Sequence, residues 1–277
     1  MYRVGKVIGE GSFAKVRAAR HKLTGQKVVV KTYDRSAIKD VAQWRRVRHE
    51  GRIMERLRHP RIVRLYESIE TSRHVHLVME LVAGPNLCTH VKRRRRLGDG
   101  EARRVFDGIL QGLEYMHGMD VCHRDVKLEN VLMDVDDDAG GVASDSGVKL
   151  ADFGFSACVR GGRRLHVFCG TPSYMPPEIV RRGEYDGKPA DVWSLGVVLY
   201  ALLCGCFPFS GATYPELYQR IQLGHYRLPT GAVPGAAGPV SPAAADLLRG
   251  MLVADPARRF TLRQVRTHPW MQTLAAS

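Results

Sequence analysis

The chain has 277 residues, of which 44% are hydrophobic and 25% are charged, so it has the composition of a soluble globular protein with room for one large domain or two smaller ones. No basic and apolar leader opens the sequence, and its most apolar segment, residues 192–207, is short for a membrane span, so neither secretion nor membrane insertion is expected. The six cysteines lack zinc-ligand spacing, which favours free thiols in a reducing compartment, the cytoplasm or alternatively the nucleus.

The net charge is +14 at pH 7, and arginines crowd residues 45–61 and the run KRRRR at 92–96. One interpretation is attraction to acidic partners, to nucleic acid or to a nuclear import receptor. The other is a set of solvated helix faces. We favour solvated faces because the basic segments are not interleaved with the aromatic residues on which single-stranded nucleic acid stacks. A nucleic-acid partner is therefore not expected.

The first third of the chain has the pattern of a small sheet with one helix. Residues 2–32 alternate between apolar and polar positions, which predicts three strands joined by tight turns. Residues 41–58 carry apolar residues at helical spacing and end at a His-Pro pair, which predicts a helix. Residues 62–66 and 74–80 again have strand patterns. We therefore expect five strands and one helix, followed by a loop at 82–85.

The remainder of the chain is predicted to be mainly helical. The predicted helices cover residues 101–118, 190–206, 214–223, 242–252 and 261–272. Two glycine-rich segments, 134–147 and 229–242, are expected to be surface loops. The first begins DVDDD, but it lacks the glycine and the glutamate that a calcium loop requires, so calcium is not expected there.

Two motifs in the middle of the chain carry the chemistry. Residues 123–130 read HRDVKLEN, and residues 152–154 read DFG after a strand-like segment. Phosphoryl transfer needs a carboxylate to orient and deprotonate a hydroxyl, here Asp125, and an amide with a second carboxylate to hold Mg²⁺, here Asn130 and Asp152. With these motifs the chain resembles the eukaryotic protein kinases. The segments GEGSFAKV, LVMEL and DFGFS are most similar to those of the calcium/calmodulin-dependent and AMP-activated kinase branch.

The resemblance implies an α+β, bilobal protein-kinase-like fold in which nucleotide binds in the cleft between two lobes. The kinase domain would cover residues 2–271, with a small lobe at 1–82 made of a five-stranded antiparallel sheet plus one helix. A larger, mainly helical lobe would cover 83–277. The resemblance also implies a serine/threonine protein kinase with ATP and Mg²⁺ as its cofactors. Protein substrates with serine or threonine acceptors are the expected partners, and a monomeric catalytic domain without a membrane partner is expected.

The nucleotide site that the resemblance predicts begins at the glycine-rich turn GEGSFAKV. Glycines let the backbone approach phosphates, although such turns are common and form a weak signal alone. Lys31 taken alone would be better interpreted as a solvated strand-end lysine. Glu50 is its expected partner, with the neighbouring arginines as competitors. The residues expected to contact ATP are Ile8, Gly9, Gly11, Ser12, Val16, Val29, Lys31, Met79, Glu80, Val82, Asn86 and Leu132.

The resemblance also assigns residues to catalysis, to metal binding and to support of the site. The residues implied in catalysis and metal binding are Asp125, Lys127, Lys31, Glu50, Asn130 and Asp152. Asp125 is the candidate base or hydroxyl-orienting residue, and Lys127 is expected to neutralise charge on the transferred phosphate. Away from the reacting groups, Asp191 is expected to brace the segment 123–130, the catalytic loop. Glu178 is expected to pair with Arg259.

Two departures from the family pattern concern regulation and substrate choice. Arg124 precedes Asp125, and kinases with this arginine usually need a phosphorylated activation loop. The activation loop here, residues 158–169, contains no serine, threonine or tyrosine, so we expect activity that does not depend on its phosphorylation. Asn86 replaces a glutamate that recognises basic residues upstream of the acceptor. A weaker preference for arginine-rich substrates is therefore expected.

The alternative function is that of a pseudokinase, which would act as a nucleotide-binding or scaffolding module. The intact catalytic and metal-binding residues argue against it. Ala14 in place of the third glycine, Val29 in place of the usual alanine above adenine, and the activation loop without a phosphorylatable residue leave it open. A small-molecule kinase on the same fold is a third interpretation, against which the PPE and GTPSY segments, suited to docking a peptide, argue.

Overall fold

The structure is a computed structural model that describes residues 1–11, 14–38, 40–134, 147–228 and 239–272. A small sheet with one helix forms the N-terminal part, and a mainly helical part follows it. Within the described ranges, no helix is both long and apolar enough to cross a membrane. The predicted ATP contact Ser12 and most of the two predicted loops, 134–147 and 229–242, lie outside the described residues.

Five strands form the N-terminal sheet. They are β1 (Tyr2–Glu10), β2 (Ala14–His21), β3 (Lys27–Asp34), β4 (Leu65–Glu70) and β5 (His74–Glu80). Their order is β1-β2-β3-β5-β4, and every pairing is antiparallel, which confirms the predicted sheet. The strand β3 occupies the centre, where its run of three valines at 28–30 is buried, as a continuous apolar run of strand length predicts.

One helix packs on this sheet. It is α1 (Val41–Arg56), which begins where the Asp40 side chain accepts a hydrogen bond from the N–H of Ala42, a typical N-cap. Its buried positions recur every three or four residues, include Glu50 and face β4 and β5. A glutamate is thereby carried to the inner face of the sheet.

The strand predicted over 62–66 was misplaced, because β4 covers Leu65–Glu70. The preceding residues pair with the helical part of the molecule instead. The N–H of Val63 donates to the carbonyl of Leu150 at 2.9 Å, and the N–H of Leu150 donates to the carbonyl of Arg61 at 2.8 Å. The apolar run that suggested a sheet strand is therefore buried at the junction between the two parts of the molecule.

Helices dominate the rest of the described chain. They are α2 (Leu87–Arg94), α3 (Asp99–Gly118), α4 (Pro177–Val180), α5 (Gly187–Cys204), α6 (Tyr214–Leu223), α7 (Pro242–Met251), α8 (Leu262–Arg266) and α9 (Pro269–Gln272). Short strands accompany them: β6 (Val121–Cys122), β7 (Val131–Asp134), β8 (Gly147–Leu150) and β9 (Ala157–Cys158). The helix α5 forms the centre, with α3 and α7 packed on it. Nearly all its residues are buried, as in a core helix.

Two predicted helices differ from the observed ones at their ends. The helix predicted over 261–272 is divided into α8 and α9. The division precedes Pro269, which has no N–H to donate and disfavours helical backbone at the residue before it. The helix predicted over 190–206 begins at Gly187, where the Asp186 side chain caps the N–H of Lys188 at 3.0 Å. It ends at Cys204 because Gly205 adopts a left-handed φ of 72°.

The basic run at 92–96 lies at the end of α2, a helix for which no bounds were predicted. Lys92, Arg93 and Arg94 form its last turn, where positive charge interacts favourably with the negative end of the helix dipole. Their position supports a solvated helix end as the interpretation of these charges.

Candidate active site

Lys31 lies where β3, α1 and the loop after β8 meet. Its Nζ is 2.8 Å from Oε1 of Glu50 and 2.9 Å from Oδ1 of Asp152. The other oxygen of Glu50, Oε2, accepts a 2.5 Å hydrogen bond from the hydroxyl of Tyr33. Tyr33 is two residues after Lys31 and therefore on the same face of the strand. The glutamate thus pairs with Lys31 rather than with the arginines that flank it in the sequence.

The opposite charges in this cluster stabilise one another in their ionised forms. Burial opposes the charged form of Lys31, but the carboxylates of Glu50 and Asp152 outweigh burial and raise the pKa of Lys31 well above its usual value. Burial also opposes ionisation of Asp152, yet the charge of Lys31 outweighs it and lowers the pKa of that carboxyl. Lys31 is therefore a cation and Asp152 an anion throughout the neutral pH range.

Asp125 and Lys127, from the catalytic loop, form a polar centre with Thr171. The Nζ of Lys127 is 2.7 Å from Oδ2 of Asp125 and 2.9 Å from Oγ1 of Thr171. The hydroxyl of Thr171 donates to Oδ1 of Asp125 at 2.9 Å. Asn130 donates through Nδ2 to the backbone carbonyl of Asp125 at 2.9 Å and to its Oδ2 at 3.1 Å. Asp125 thus accepts a hydrogen from an aliphatic hydroxyl, which is the contact that a base acting on serine or threonine needs.

A buried carboxylate on α5 holds the catalytic loop in shape. Asp191 is fully buried and accepts hydrogen bonds from the backbone N–H groups of His123 and Arg124, both at 2.8 Å. Its Oδ2 is also 2.9 Å from Nε2 of His117. Arg124 has a φ of +66°, a conformation that is strained for a residue with a Cβ. The bonds from Asp191 stabilise that turn and thereby place the neighbouring Asp125.

His123 links the two predicted motifs through backbone groups. Its Nδ1 accepts a 3.3 Å hydrogen bond from the N–H of Asp125, and its Nε2 is 3.2 Å from the carbonyl of Ala151. The N–H of Ala151 in turn donates to the carbonyl of Asn130 at 2.8 Å. Both ring nitrogens of His123 are therefore occupied by the backbone, so the ring connects the catalytic loop to the segment that carries Asp152.

Asn130 and Asp152 offer oxygen donors that suit a divalent cation. Asn130 uses its Nδ2 for Asp125, which leaves the amide oxygen as a ligand atom. The side chain of Asp152 is 46% exposed although one of its oxygens meets Lys31. Mg²⁺ prefers such hard oxygen ligands and retains several waters. The residues present thus fit the metal site predicted for them.

Strand pairing links the predicted phosphate-binding glycines to Lys31. Gly9 pairs with Val16 across β1 and β2, and Val16 pairs with Lys31 across β2 and β3. The N–H of Gly11 donates to the carbonyl of Ala14 at 2.8 Å, which joins the end of β1 to the start of β2. The structure thus places Gly9, Val16 and Lys31 side by side on three adjoining strands, and Gly11 follows the end of β1.

The residues predicted for the adenine end of the site lie along β3 and β5. Val29 is buried and pairs with Met79 across these strands. Glu80 follows Met79, and its carboxylate is 2.9 Å from Nζ of Lys149. The side chain of Glu80 is thus committed to the protein, so a ligand contact at this position would use its backbone.

The remaining predicted ATP contacts are Val82, Asn86, Leu132 and Ile8. Val82 is buried and follows β5, whereas Ile8 is 47% exposed on β1. Asn86 and Leu132 are paired by an isolated bridge between their backbones. The Oδ1 of Asn86 accepts a 2.8 Å hydrogen bond from the N–H of Thr89 and so caps α2. Its amide nitrogen therefore remains for a ligand.

The predicted pair of Glu178 and Arg259 is present and buried. The guanidinium of Arg259 donates to the two oxygens of Glu178 at 2.7 and 2.9 Å, and its side chain is 0% exposed. It also donates to the carbonyls of Pro189 at 2.7 Å and Val253 at 3.0 Å. This bidentate contact ties α4, which follows Thr171 in the chain, to the C-terminal helices.

Two residues that support the site, Tyr33 and His117, were not predicted from the sequence. Tyr33 holds Glu50, and its place two residues after Lys31 on a strand was a usable signal, because alternate residues share a face. His117 holds Asp191 across 74 residues of chain, and no local pattern points to that pairing.

Comparison with known proteins gives the family. The protein kinase domain family matches residues 2–271. The chain is 41% identical to serine/threonine protein kinase OSK3 of Oryza sativa over 271 residues, which are 98% of this chain and 50% of that protein. It is 40% identical to the SNF1-related protein kinase catalytic subunit alpha KIN12 of Arabidopsis thaliana, over 97% of this chain and 51% of that protein. It is 38% identical to mouse serine/threonine-protein kinase SIK1, over 98% of this chain and 32% of that protein.

The chain spans about half the length of its plant relatives and a third of the mouse one. The family match extends over nearly the whole chain, and the relatives include SNF1-related kinases. These findings confirm the resemblance that the motifs indicated. The chain therefore belongs to the protein kinase domain family.

Proposed function

We propose that this chain is the catalytic domain of a serine/threonine protein kinase, which transfers the γ-phosphate of ATP to hydroxyls on protein substrates. The observation that supports this most is the 2.9 Å contact in which Asp125 accepts the hydroxyl hydrogen of Thr171, with Lys127 beside both. A substrate serine or threonine would present the same kind of hydrogen to the same carboxylate. The relatives that carry the name serine/threonine protein kinase add support.

Binding depends on the cluster around Lys31. Lys31, fixed by Glu50, offers a cation to the phosphates of the nucleotide, and the glycine turn brings backbone N–H groups to them. Asn130 and Asp152 would hold Mg²⁺. The bound ATP and metal supply the phosphoryl group and neutralise charge on it.

Transfer depends on the catalytic loop. Asp125 orients the substrate hydroxyl and takes up its proton as the oxygen attacks the γ-phosphorus of the substrate ATP. The bond between that phosphorus and the bridging oxygen would break, and ADP would leave. Lys127 places positive charge where negative charge develops on the transferred group. Both residues are held before substrate arrives, because Asp191 fixes the backbone of the loop and Asn130 bonds to Asp125. Positions fixed in advance lower the entropic cost of the reaction.

We further propose that the catalytic domain is monomeric and acts on proteins in a reducing compartment, the cytoplasm or the nucleus. The support for a reducing compartment is chemical, since all six cysteines are free thiols.

The test is phosphate transfer from γ-labelled ATP, with Mg²⁺, to a degenerate library of serine and threonine peptides. Asp125→Asn keeps the shape of the side chain but removes the base, so we expect transfer to fall by about a hundredfold or more while ATP binding persists. Asp246→Asn is the matched control, because Asp246 is an exposed carboxylate on α7. It should transfer phosphate as the wild type does.

Two results would contradict the proposal. Transfer by Asp125→Asn at the wild-type rate would show that another group acts as the base. Nucleotide binding without any transfer by the wild type would instead identify a nucleotide-binding scaffold.

A further inference from the structure

The second half of the activation loop (residues 158–169) is attached to the protein at two buried points with an exposed stretch between them. Leu165 and Cys169 are buried, whereas residues 166–168 are exposed. Arg163 and Arg164 before this stretch are exposed as well. Because the loop contains no serine, threonine or tyrosine, a phosphate group on the loop cannot supply the attachment.

Tyr185, which precedes α5, contacts both buried points. Its backbone exchanges two hydrogen bonds with Leu165, each 2.9 Å long. Its hydroxyl donates to the carbonyl of Val167 at 3.1 Å and lies 3.8 Å from Sγ of Cys169. The ring is buried, with 2% of its surface exposed. One residue thus holds the loop at 165, 167 and 169.

The same hydroxyl reaches the catalytic loop. Nη1 of Arg124 donates to the oxygen of Tyr185 at 3.3 Å, and Nε of Arg124 donates to the carbonyl of Phe155 at 2.5 Å. Arg124 directly precedes Asp125. Among the described residues, no carboxylate forms an ion pair with Arg124, so its side-chain hydrogen bonds go to neutral oxygens.

The hydrogen-bonding capacity of the Tyr185 hydroxyl is fully used. A phenol has one hydrogen to donate and two lone pairs. The hydrogen goes to Val167, and the lone pairs face the guanidinium of Arg124 and the thiol of Cys169. Burial raises the pKa of Tyr185 to about 12, so the hydroxyl remains a donor at physiological pH. Burial also raises the pKa of the Cys169 thiol, which keeps its hydrogen available.

The loop also packs directly on the catalytic loop beyond Cys169. Gly170 has a φ of +107°, and a Cβ there would lie 3.1 Å from the carbonyl of Arg124. The next residue, Thr171, bonds to Asp125 and Lys127. A shift of the loop at Cys169 would therefore displace the backbone beside Asp125 and Lys127, where the substrate hydroxyl is proposed to bind (the acceptor site).

We propose that Tyr185 is a positioning residue, whose hydroxyl joins the activation loop to Arg124 and so keeps the acceptor site in place without a phosphate group. This inference rests on the proposed kinase function. The neutral phenol of Tyr185 would connect the activation loop to Arg124. This connection explains how a loop without a phosphorylatable residue stays ordered beside Asp125.

The test compares Tyr185→Phe with Tyr200→Phe in protein first treated with phosphatase. Both variants lose a buried hydroxyl that donates to a backbone carbonyl, since the hydroxyl of Tyr200 donates to Arg227 at 2.6 Å away from the site. One readout is the rate of trypsin cleavage after Arg163 and Arg164, followed by mass spectrometry. The other is kcat and KM for peptide and for ATP.

We expect Tyr185→Phe to be cleaved in the loop about tenfold faster than wild type, the factor that corresponds to one buried hydrogen bond. Its kcat/KM for peptide should fall by a similar factor, while its KM for ATP stays unchanged. Tyr200→Phe should match the wild type in both readouts, because a general loss of stability would not select the loop.

Equal loop cleavage in Tyr185→Phe and Tyr200→Phe would overturn the assignment of the attachment to Tyr185. Faster cleavage with unchanged kcat/KM for peptide would overturn its role in positioning the acceptor site. An inactive wild type would count against the proposed function, and the cleavage rates would still decide whether Tyr185 holds the loop.

Discussion

Breaking the buried pair of Glu178 and Arg259 should strongly destabilise the helical part of the molecule. Glu178→Gln keeps the shape of the side chain and one carbonyl oxygen but leaves the guanidinium of Arg259 without a countercharge in a fully buried position. Breaking a buried ion pair by removing one partner costs about 3–5 kcal/mol, because the remaining charge is uncompensated.

The lower end of that range applies here. Arg259 retains hydrogen bonds to the carbonyls of Pro189 and Val253, and it lies 5.1 Å from the ring of Trp193, which also stabilises a cation. We therefore expect a loss of about 3 kcal/mol, equivalent to a fall in Tm of about 6–12 °C for a chain of this size.

The assay is urea unfolding at neutral pH followed by tryptophan fluorescence, since Trp193 and Trp270 are buried in the helical part. Glu70→Gln is the matched control. Glu70 pairs with Arg48 at 3.3 Å, but both side chains are close to half exposed, so the change should be within about 0.5 kcal/mol of wild type. The reasoning would be refuted if Glu178→Gln unfolded at the same urea concentration as Glu70→Gln.

Two further predictions concern nucleotide binding and pH. Val29→Ala should bind ATP more tightly by up to about tenfold, because two methyl groups are removed above the expected adenine position. Val28→Ala, on the opposite face of β3, should bind ATP as the wild type does. Equal affinities of the wild type and Val29→Ala in an ATP titration would contradict the prediction. Burial opposes ionisation of Asp191, but hydrogen bonds from His117 and the backbone outweigh it and lower its pKa. Its contribution to stability is therefore complete above about pH 4 and lost as the pH falls through the lower folded-state pKa. Urea unfolding should show the largest destabilisation of Asp191→Asn near neutral pH and a smaller one below about pH 4; a gap independent of pH would contradict this.

Much of the fold could be predicted because it depends on local periodicity. Strand alternation at 2–32, the apolar spacing of α1 and the continuous apolar run of α5 each reflect contacts within one element and its nearest neighbours. The errors arose where a tertiary partner overrode the local pattern. Residues 61–63 pair with Leu150 rather than with the N-terminal sheet. Nothing in their own sequence distinguishes these two pairing partners.

The candidate site shows the same division. The motifs at 123–130 and 152–154 carried the resemblance to the protein kinases, which the match of the protein kinase domain family to residues 2–271 confirmed. The roles of Asp125, Asn130 and Asp152 in catalysis and metal binding stay predictions that the proposed experiments test.

By itself, the sequence carried the resemblance to the family that the comparisons confirmed, and its periodicity predicted the five-stranded sheet and most of the longer helices. The residues proposed for the chemistry stay predictions. Only the tertiary structure decided which groups meet. Glu50 has arginines nearby in the sequence and pairs with Lys31 instead, and Tyr185 joins two loops that are distant along the chain. Such pairings depend on how separate elements pack around α5 and the sheet, and the energy of a buried polar group is set by the partner that packing brings to it.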